Sequence, residues 1–369
     1  AWSGPEAEER GPWGTGAPET AWCGNARAAK AKASTEKTRI MELEYALSCR
    51  EGQTARDRRS TGAFGPRGVS PGPGAILWLF LLLMGCSSGT APPPPEALIE
   101  FLGASEAEVA AVGPGLAYYG FQNPSEPWSA HLLRADLRRC EIGLEVLEAP
   151  LSNGKNDGRN RVTELVAQAG EGLMAGVNGD FFTPEGSPVG TEVVQGLIRR
   201  IRGRPALAWR PDYPPWMGVP ELEGDSALLL GWRVPRVGGD GATQVIGGFP
   251  LLLQDGDRVG DLETAQRASF ASERHPRTAV GFDPDSEVLW IVVVDGRQPG
   301  YSMGMTLPEL AALFEALGVR DAINLDGGGS TVMVVGGEAV SQPSDADGER
   351  PVVNALGIRW DPALCNIGG

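Results

Sequence analysis

Histidine and closely spaced cysteine are scarce in this sequence. Only two histidines occur in 369 residues, His131 and His275, which excludes a metal site built from several histidine ligands. The five cysteines form no Cys-x-x-Cys pair, which argues against a zinc ribbon and a thioredoxin-type redox site.

Positive charge is also in deficit. The chain has 32 Lys and Arg residues against 47 Asp and Glu residues, which gives a formal net charge of -15 at pH 7. A protein that binds nucleic acid without sequence preference needs a basic footprint. We therefore expect no nucleic-acid partner.

The first 74 residues differ in composition from the rest of the chain. They are rich in Gly, Ala, Arg, Glu and Pro and contain few apolar runs, a composition typical of disorder. Because the chain does not begin with Met, we interpret residues 1–74 as translated upstream sequence or an unusually long leader, and we exclude them from the fold prediction.

An apolar run occupies residues 75–86 and ends in Leu83-Met84-Gly85-Cys86. It is too short for an ordinary membrane-spanning helix and has the length of a signal-peptide core. Its end resembles the lipobox of bacterial lipoproteins, in which the Cys becomes the lipidated first residue. Residues 87–96, with four consecutive prolines, then predict a stiff tether. We expect an exported lipoprotein, periplasmic or at the cell surface, held in the membrane through Cys86; the alternative is a buried core helix.

Residues 97–369 are predicted to form the folded domain. Strand-like apolar runs outnumber runs with helical spacing, so we predict an α+β fold, a single β-sheet-rich domain with a mixed sheet and few helices. Export permits disulfides, and Cys140 and Cys365 either pair or remain separate buried thiols. Helices are predicted at 106–112, 162–169 and 307–317, and strands at 116–121, 131–137, 142–147, 173–178, 193–198, 249–253, 278–282, 288–294, 322–325, 332–335 and 352–360.

The most informative stretch is the turn that follows the apolar run 322–325. It contains Asp326, three glycines (Gly327, Gly328 and Gly329) and two hydroxyl residues (Ser330 and Thr331). Successive glycines expose backbone N–H groups that can bind an anion, and Asp326 can act as an acid, a base, a nucleophile or a metal ligand. The stretch lacks the Lys of a phosphate-binding P-loop and the second Gly of a nucleophile elbow. The alternative is a tight hairpin with an Asx turn at Asp326.

Two further apolar runs end in acids. Asp295-Gly296-Arg297 follows the run 288–294, and Asn178-Gly179-Asp180 closes the run 173–178. Strand ends that share a sheet edge would bring Asp295 together with Asp326, and paired carboxylates are the minimal machinery for cleaving a glycosidic bond. Asn178 and Asp180 could both enter the cleft. Ordinary strand-ending turns are the alternative interpretation.

Several other polar residues lie at strand ends. Arg277 and Thr278 open one predicted strand, and Arg350 and Asn354 precede or enter the last one. Arginine suits phosphate because its planar fork forms bidentate, charge-assisted hydrogen bonds. The stretch 345–348 resembles the start of an EF-hand loop, but its Gly comes too early and no Glu closes it, so we interpret it as a surface loop. A divalent cation, Ca²⁺ or Mg²⁺, remains a possible cofactor.

These motifs occur in the order found in the phosphodiester glycosidase family. The resemblance covers roughly residues 173–359 and rests on Asn178-Gly179-Asp180-Phe181-Phe182, Arg277-Thr278-Ala279-Val280-Gly281, Asp295-Gly296-Arg297, Gly304-Met305-Thr306-Leu307-Pro308-Glu309-Leu310, Asn324 to Thr331, and Gly348-Glu349-Arg350 with Asn354. The middle position of the first motif is often Gly in the family and is Asp180 here.

The resemblance implies a phosphodiester glycosidase-like fold and hydrolysis of a sugar-1-phosphodiester, which releases the sugar and leaves a phosphomonoester. The substrate would be a sugar-phosphate or a glycan. Carried over by motif, the catalytic candidates are Asp326, Asp295 and Asp180. The substrate-binding candidates are Asn178, Arg277, Thr278, Arg297, Gly327, Gly328, Gly329, Ser330, Thr331, Arg350 and Asn354.

Two other functions remain open at this point. A non-catalytic surface lipoprotein would bind glycan through the same cleft without turnover. A metal-dependent phosphodiesterase would use the same aspartates to hold a divalent cation.

Overall fold

A computed structural model describes residues 90–367 of the chain, apart from 105–106, 124, 127, 151–157, 224–225, 230–231, 235–241, 261 and 263–267. The predictions for residues 1–74, for the apolar run 75–86 with Cys86, and for the first residues of the tether lie outside this part. Where the chain is described, no helix is both long and apolar enough to cross a membrane.

The described residues form many strands and few helices. Two short 3₁₀ helices, Gly328–Ser330 and Pro362–Asn366, complete the structure. The helices are α1 (Glu96–Leu102), α2 (Val162–Gln168), α3 (Ala268–Ala271) and α4 (Leu307–Ala316), and the strands are β1 (Ala107–Gly113), β2 (Leu116–Asn123), β3 (Trp128–Asp136), β4 (Ile142–Glu148), β5 (Leu173–Asn178), β6 (Glu192–Val194), β7 (Leu197–Arg200), β8 (Ala206–Arg210), β9 (Tyr213–Gly218), β10 (Glu221–Glu223), β11 (Ser226–Leu229), β12 (Trp232–Val234), β13 (Gln244–Gly247), β14 (Leu251–Gln254), β15 (Asp257–Arg258), β16 (Arg277–Phe282), β17 (Val288–Val294), β18 (Asp321–Asn324), β19 (Met333–Val335), β20 (Glu338–Ala339) and β21 (Asn354–Trp360).

The strands form one large sheet and three smaller ones. The eight-stranded sheet has the order β1-β2-β3-β17-β16-β18-β14-β15, and two five-stranded sheets have the orders β7-β6-β13-β8-β9 and β20-β19-β5-β21-β4. A three-stranded sheet contains β10, β11 and β12. The predicted α+β class, sheet-rich with few helices, is confirmed. Pairing is more uniform than in the mixed sheet that the sequence suggests, since every strand pair in the described residues is antiparallel.

The eight-stranded sheet is buried on both faces. On β17, Trp290 and Val292 belong to a core shared with α1 and α4, whereas Ile291 and Val293 belong to a core shared with the two five-stranded sheets. Side chains alternate between the two faces of a strand, so a strand covered on both sides is apolar at every position. This explains the uninterrupted apolar run 288–294.

Two local predictions are wrong. The helix predicted at 106–112 is not formed, because residues 107–112 belong to β1, where pairing with β2 outweighs local helix propensity. Residues 193–198, predicted as one strand, are a hairpin of β6 and β7. Gln195 and Gly196 form its turn, with φ angles of 49° and 75°.

Two other features match the sequence or decide between its alternatives. The Thr306 hydroxyl accepts the Glu309 N–H at 3.2 Å, and the Glu309 carboxylate accepts the Thr306 N–H at 2.9 Å, which confirms the capping box that begins α4. Cys140 and Cys365 form a disulfide, which ties the segment before β4 to the C-terminal 3₁₀ helix.

Candidate active site

The candidate site lies at the edge where three neighbouring strands of the eight-stranded sheet begin or end. β16 pairs antiparallel with β17 on one side and β18 on the other, so β17 and β18 run in the same direction. Arg277 therefore opens β16 at the edge where Asp295 follows β17 and Asp326 follows shortly after β18. Two strand spacings place the backbones of the two aspartates about 10 Å apart. The prediction that these strand ends share one sheet edge is confirmed.

The glycine turn, Gly327–Gly329, carries the chain from one sheet to another. It is not a tight hairpin, because β18 belongs to the eight-stranded sheet and β19 to a five-stranded sheet. Gly328 has φ +64°, and a Cβ there would lie 2.9 Å from the Arg297 guanidinium. A Cβ on Gly329 would collide with the Arg350 side chain. Two arginines thus lie against bare backbone, and the positive φ of Gly328 favours glycine at that position.

Asn178 holds the acidic end of this turn in place. Its Nδ2 donates to the Asp326 carbonyl at 2.6 Å. Its Oδ1 accepts the Thr278 hydroxyl at 2.6 Å and the Val332 N–H at 3.2 Å. Asn178 and Thr278 are both fully buried, so they position the turn and do not line the cavity beside it.

A cavity of about 600 Å³ opens beside the glycine turn. Seven of the residues selected from the sequence line it, and five further residues join them. The lining consists of Asp326, Gly327, Gly328, Gly329, Arg277, Arg297 and Arg350, together with Phe181, Phe249, Ser269, Phe270 and His275.

Arg277 is a buried cation without a carboxylate partner among the described residues. Its side chain is nearly inaccessible, and its guanidinium donates to the Met305 carbonyl at 2.8 Å and the Phe270 carbonyl at 2.6 Å. Burial lowers its pKa to about 10, so it stays charged at neutral pH. A buried charge needs an opposite charge close by, and the cavity leaves room for an anion to supply it.

The other two arginines differ in their partners. Arg350 forms an ion pair with Asp345 at 2.7 Å, so its charge is largely neutralised. Arg297 lies 3.4 Å from His275 Nδ1 and, within the described part of the chain, has no carboxylate at ion-pair distance. Two of the three cavity arginines therefore carry unpaired positive charge, the arrangement that favours a phosphate.

Asp326 is the one carboxylate that lines the cavity in the part of the chain described. Burial raises its pKa to about 6, although the Ser330 hydroxyl, the Gly327 N–H, which donates to Oδ1 at 2.9 Å, and the charge of Arg350 act in the opposite direction. A carboxyl group that titrates near pH 6 changes charge in the range where many enzymes work. Asp326 can therefore exchange protons with a bound substrate.

His275 is a cavity residue that sequence reasoning did not select. Its Nε2 lies 2.6 Å from the Ser269 carbonyl, which can only accept, so Nε2 carries a proton. Its Nδ1 faces the Arg297 guanidinium, a donor, at 3.4 Å, so Nδ1 is the acceptor in this contact. The available signal was position, because His275 stands two residues before Arg277 and the strand start that bears it.

Asp295 does not line the cavity, and its side chain is fully buried. Its Oδ2 lies 3.1 Å from His131 Nε2 and accepts the Tyr301 hydroxyl at 2.9 Å. Its Oδ1 accepts the Gln342 N–H at 3.0 Å. Both oxygens are thus occupied by protein groups. The predicted pairing of Asp295 and Asp326 as neighbours across one cavity is not what the geometry shows.

Asp180 also lies outside the cavity lining, in a second buried acidic cluster. Its Oδ2 accepts the Gly190 N–H at 2.5 Å, and its backbone N–H donates to Asn354 Oδ1 at 2.9 Å. The Asn354 amide donates in turn to Glu192 at 2.5 Å. Burial raises the pKa of Asp180 to about 7 and that of Glu192 to about 7. Asn354 therefore joins two buried acids and does not reach the cavity.

Ser330 and Thr331 follow the glycine turn as buried side chains. The Ser330 hydroxyl lies near the Asp326 carboxylate and lowers its pKa, whereas the Thr331 hydroxyl completes no hydrogen bond with the described residues. Buried hydroxyls normally have a partner, so the Thr331 hydroxyl is available to a ligand or water near the turn.

The donor set for a divalent cation is poor at this cavity. In the described residues, the only group of three metal-binding side chains is Cys140, Glu141 and Cys365, and its two cysteines form the disulfide. The cavity offers one carboxylate and one imidazole among arginines, whereas Ca²⁺ takes about six to eight oxygen ligands. The acid of the EF-hand-like stretch, Asp345, is paired with Arg350.

Comparison with known proteins gives the following matches. The sequence of residues 171–359 matches the family model described as phosphodiester glycosidase. The N-acetylglucosamine-1-phosphodiester alpha-N-acetylglucosaminidase of Mus musculus is 37% identical over 83 residues, which are 22% of this chain and 16% of that protein. The SPbeta prophage-derived uncharacterized protein YomE of Bacillus subtilis is 38% identical over 99 residues, 26% of this chain and 15% of that protein. Each match spans only a small part of the relative's length.

Two solved structures share the fold. The catalytic domain of zebrafish N-acetylglucosamine-1-phosphodiester alpha-N-acetylglucosaminidase has a TM-score of 0.52 at 23% identity, covering 73% of this chain and 95% of that chain. A hypothetical protein from Synechocystis has a TM-score of 0.53 at 18% identity, covering 69% of this chain and 64% of that chain. At these identities the likeness concerns the fold alone.

Proposed function

The chain belongs to the phosphodiester glycosidase family, and from this premise we propose that it hydrolyses sugar-1-phosphodiesters. The products would be a free sugar and a phosphomonoester. One observation carries the proposal: Asp326 shares a cavity with two arginines, Arg277 and Arg297, that lack carboxylate partners among the described residues. Among the described residues, the cavity lining thus combines one carboxyl group with two arginines that have no carboxylate partner.

The arginines act on the leaving group in this proposal. When the bond between the sugar C1 and the phosphate oxygen breaks, its electron pair stays on that oxygen, and the phosphomonoester gains a second negative charge. A phosphomonoester has a second pKa near 6, so at neutral pH it is stable as a dianion without a proton from an acid. Arg277 and Arg297 stabilise the developing charge through charge-assisted hydrogen bonds.

Asp326 acts at the other side of the breaking bond. A water molecule adds its oxygen to C1, and the Asp326 carboxylate accepts the proton that the water loses. A glycosidase usually needs a second carboxyl group to protonate its leaving group. Here the arginines replace that second group, which accounts for a cavity with Asp326 but neither Asp295 nor Asp180 in its lining.

The test compares the Asp326→Asn variant with the parent chain. Both are incubated with a panel of sugar-1-phosphodiesters, and release of sugar and of phosphomonoester is followed. We expect Asp326→Asn to lower kcat by about 10²–10⁴-fold, the usual contribution of a positioned acid or base. The exposed Asp285, in the turn between β16 and β17, provides a matched control, and Asp285→Asn should keep full activity.

Full activity in Asp326→Asn would remove Asp326 from the mechanism. A parent that binds the substrates but releases no product over long incubation would instead indicate a non-catalytic glycan-binding protein. Activity that is lost in chelator and restored by Mg²⁺ or Ca²⁺ would indicate a metal-dependent phosphodiesterase.

We also propose that the protein is exported and acts on cell-surface or extracellular glycans while anchored through Cys86. The disulfide between Cys140 and Cys365 supports this placement, because disulfides persist in oxidising compartments. In a bacterial host, Cys86→Ser should move the protein from the membrane fraction to the soluble fraction. Membrane-extracted parent protein whose intact mass still includes the residues before Cys86 would contradict the anchor.

A further inference from the structure

Three phenylalanines share the cavity with the arginines. Phe181 follows β5, Phe249 precedes β14, and Phe270 lies in α3. The rings of Phe181 and Phe270 meet edge to face with their centroids 6.1 Å apart. All three side chains are half-buried, so part of each ring faces the cavity. We call these three residues the phenylalanine wall.

The wall is not simply the margin of a hydrophobic core. Phe270 packs against the core on the helix side of the large sheet. Phe181 and Phe249 belong to none of the core clusters formed by the described residues. The next residue in the chain, Phe182, does pack against a core cluster, so the two adjacent phenylalanines have separate environments.

Arginines fix the orientation of two of the rings. The Arg204 guanidinium lies 4.8 Å from the Phe249 ring centroid, and the Arg277 guanidinium lies 5.2 Å from the Phe270 centroid. Such cation–π contacts hold a ring in place. Rigid aromatic surface beside convergent polar groups is the usual composition of a small-molecule site.

From this arrangement we propose that the phenylalanine wall binds the apolar face of a ring that is attached to the phosphate. The inference rests on the proposed function for one point, the placement of phosphate at Arg277 and Arg297. A ligand that fits both parts is a phosphate ester whose organic group presents a flat or chair-shaped C–H or aryl face. A pyranose ring on the sugar side and an aromatic ring on the aglycone side share this chemistry.

The proposal assigns selectivity to the wall and charge recognition to the arginines. Inorganic phosphate would use the arginines alone. A ring-bearing phosphate ester would gain additional affinity from the wall, by about three- to tenfold for one good aromatic contact. Phe181 is the best residue to change, because within the described residues it lies outside the core clusters and has no arginine over its ring.

The experiment measures binding by calorimetry with the full chain, using inorganic phosphate, glucose 1-phosphate and phenyl phosphate as separate probes. In the parent, at least one ring-bearing ester should bind more tightly than inorganic phosphate. We define the advantage of an ester as the ratio of the Kd for inorganic phosphate to the Kd for that ester. In Phe181→Ala this advantage should fall about three- to tenfold, while the Kd for inorganic phosphate stays the same. Trp360→Ala, which removes a partly exposed aromatic side chain at the end of β21, should change neither value.

Phe181→Leu serves as a second variant, because it keeps most of the side-chain volume while removing the aromatic face. An unchanged advantage for the ring-bearing esters in both Phe181 variants would overturn the proposal. A loss of advantage for glucose 1-phosphate places the sugar on the wall, and a loss for phenyl phosphate alone places the aglycone there. Because the readout is binding, an inactive protein with a normal wall response would refute the hydrolase and leave the wall in place.

Discussion

Three aspartates that follow apolar strands have three different environments. Asp326 faces a cavity, Asp295 is saturated by protein donors, and Asp180 lies in a buried cluster with Asn354 and Glu192. A carboxylate can take part in catalysis only if a substrate can reach it. Accessibility, more than sequence context, separates Asp326 from the other two.

The pH dependence of the rate follows from the pKa of Asp326, which burial raises to about 6. Because the proposed step needs the ionised carboxylate, kcat/KM should rise about tenfold per pH unit below pH 6 and level off above it. Steady-state rates between pH 4.5 and 8.5 would show this limb. As a control, Glu192→Gln removes another acid with a raised pKa and should leave the rise of kcat/KM below pH 6 unchanged. A rate that falls above pH 6 would instead indicate that Asp326 acts as an acid.

At the scale of elements, Asp295 connects the end of β17 to the loop that follows β20, a strand of a five-stranded sheet. Its Oδ1 holds the Gln342 N–H, and the Gln342 carbonyl accepts the Gln298 amide at 3.0 Å. The same loop continues to Arg350, and Arg297 directly follows the Asp295-Gly296 pair. Asp295 is thus a positioning residue for two cavity arginines, and His131 and Tyr301 hold its other oxygen.

The Asp295→Asn variant tests this role. An amide has one acceptor oxygen, so it cannot satisfy the donors on both sides of the native carboxylate. We expect KM to rise about tenfold, with kcat and the pH limb of Asp326 retained, because a charge-assisted contact is lost. Kinetics would be measured well below the Tm of the variant. A fall in kcat with unchanged KM would restore Asp295 as a catalytic residue, and a lower Tm with unchanged kinetics would make its role purely structural.

At the scale of the whole molecule, the large sheet is covered by helices on one face and by smaller sheets on the other. This double coverage buries acids as well as apolar side chains. Asp180, Glu192 and Asp326 all have a pKa raised by burial, to about 7, about 7 and about 6. The free energy of unfolding therefore depends on pH, and the amino-acid composition alone does not indicate the direction of this dependence.

We expect the protein to be more stable at pH 5 than at pH 8. The folded state holds protons on these acids above the unfolded pKa near 4, so the stabilisation is complete below that value and is lost as pH rises through about 6 to 7. Thermal unfolding should show Tm falling by at least about 5 °C from pH 5 to pH 8. Asp180→Asn should reduce the fall and Asp285→Asn should not, although both remove one negative charge. A Tm that is flat or rises over this range would contradict the prediction.

The sequence by itself determined the local structure and the family. Its periodicity predicted residues 173–178 as a strand, which are β5, and its capping pattern located the start of α4 at Thr306. Glycines, arginines and Asp326 were selected correctly as neighbours, because each stands next to a strand end in the chain. Each of these signals depends on a few adjacent residues, so it can be recognised without knowing the fold. Where local propensity competed with pairing, as in 106–112, the prediction was wrong.

Only the tertiary structure decided which of these residues face the cavity. β16 lies between β17 and β18 and so separates Asp295 from Asp326. The glycine turn crosses from one sheet to another, and Arg297 and Arg350 both lie against its backbone. His275, Phe249 and Phe270 entered the site from segments that carry no motif of their own, whereas Phe181 belongs to the motif that begins at Asn178. The physical reason is that strand order and coverage of the sheet are set by contacts between residues far apart in the chain, and a linear pattern does not encode those contacts one by one.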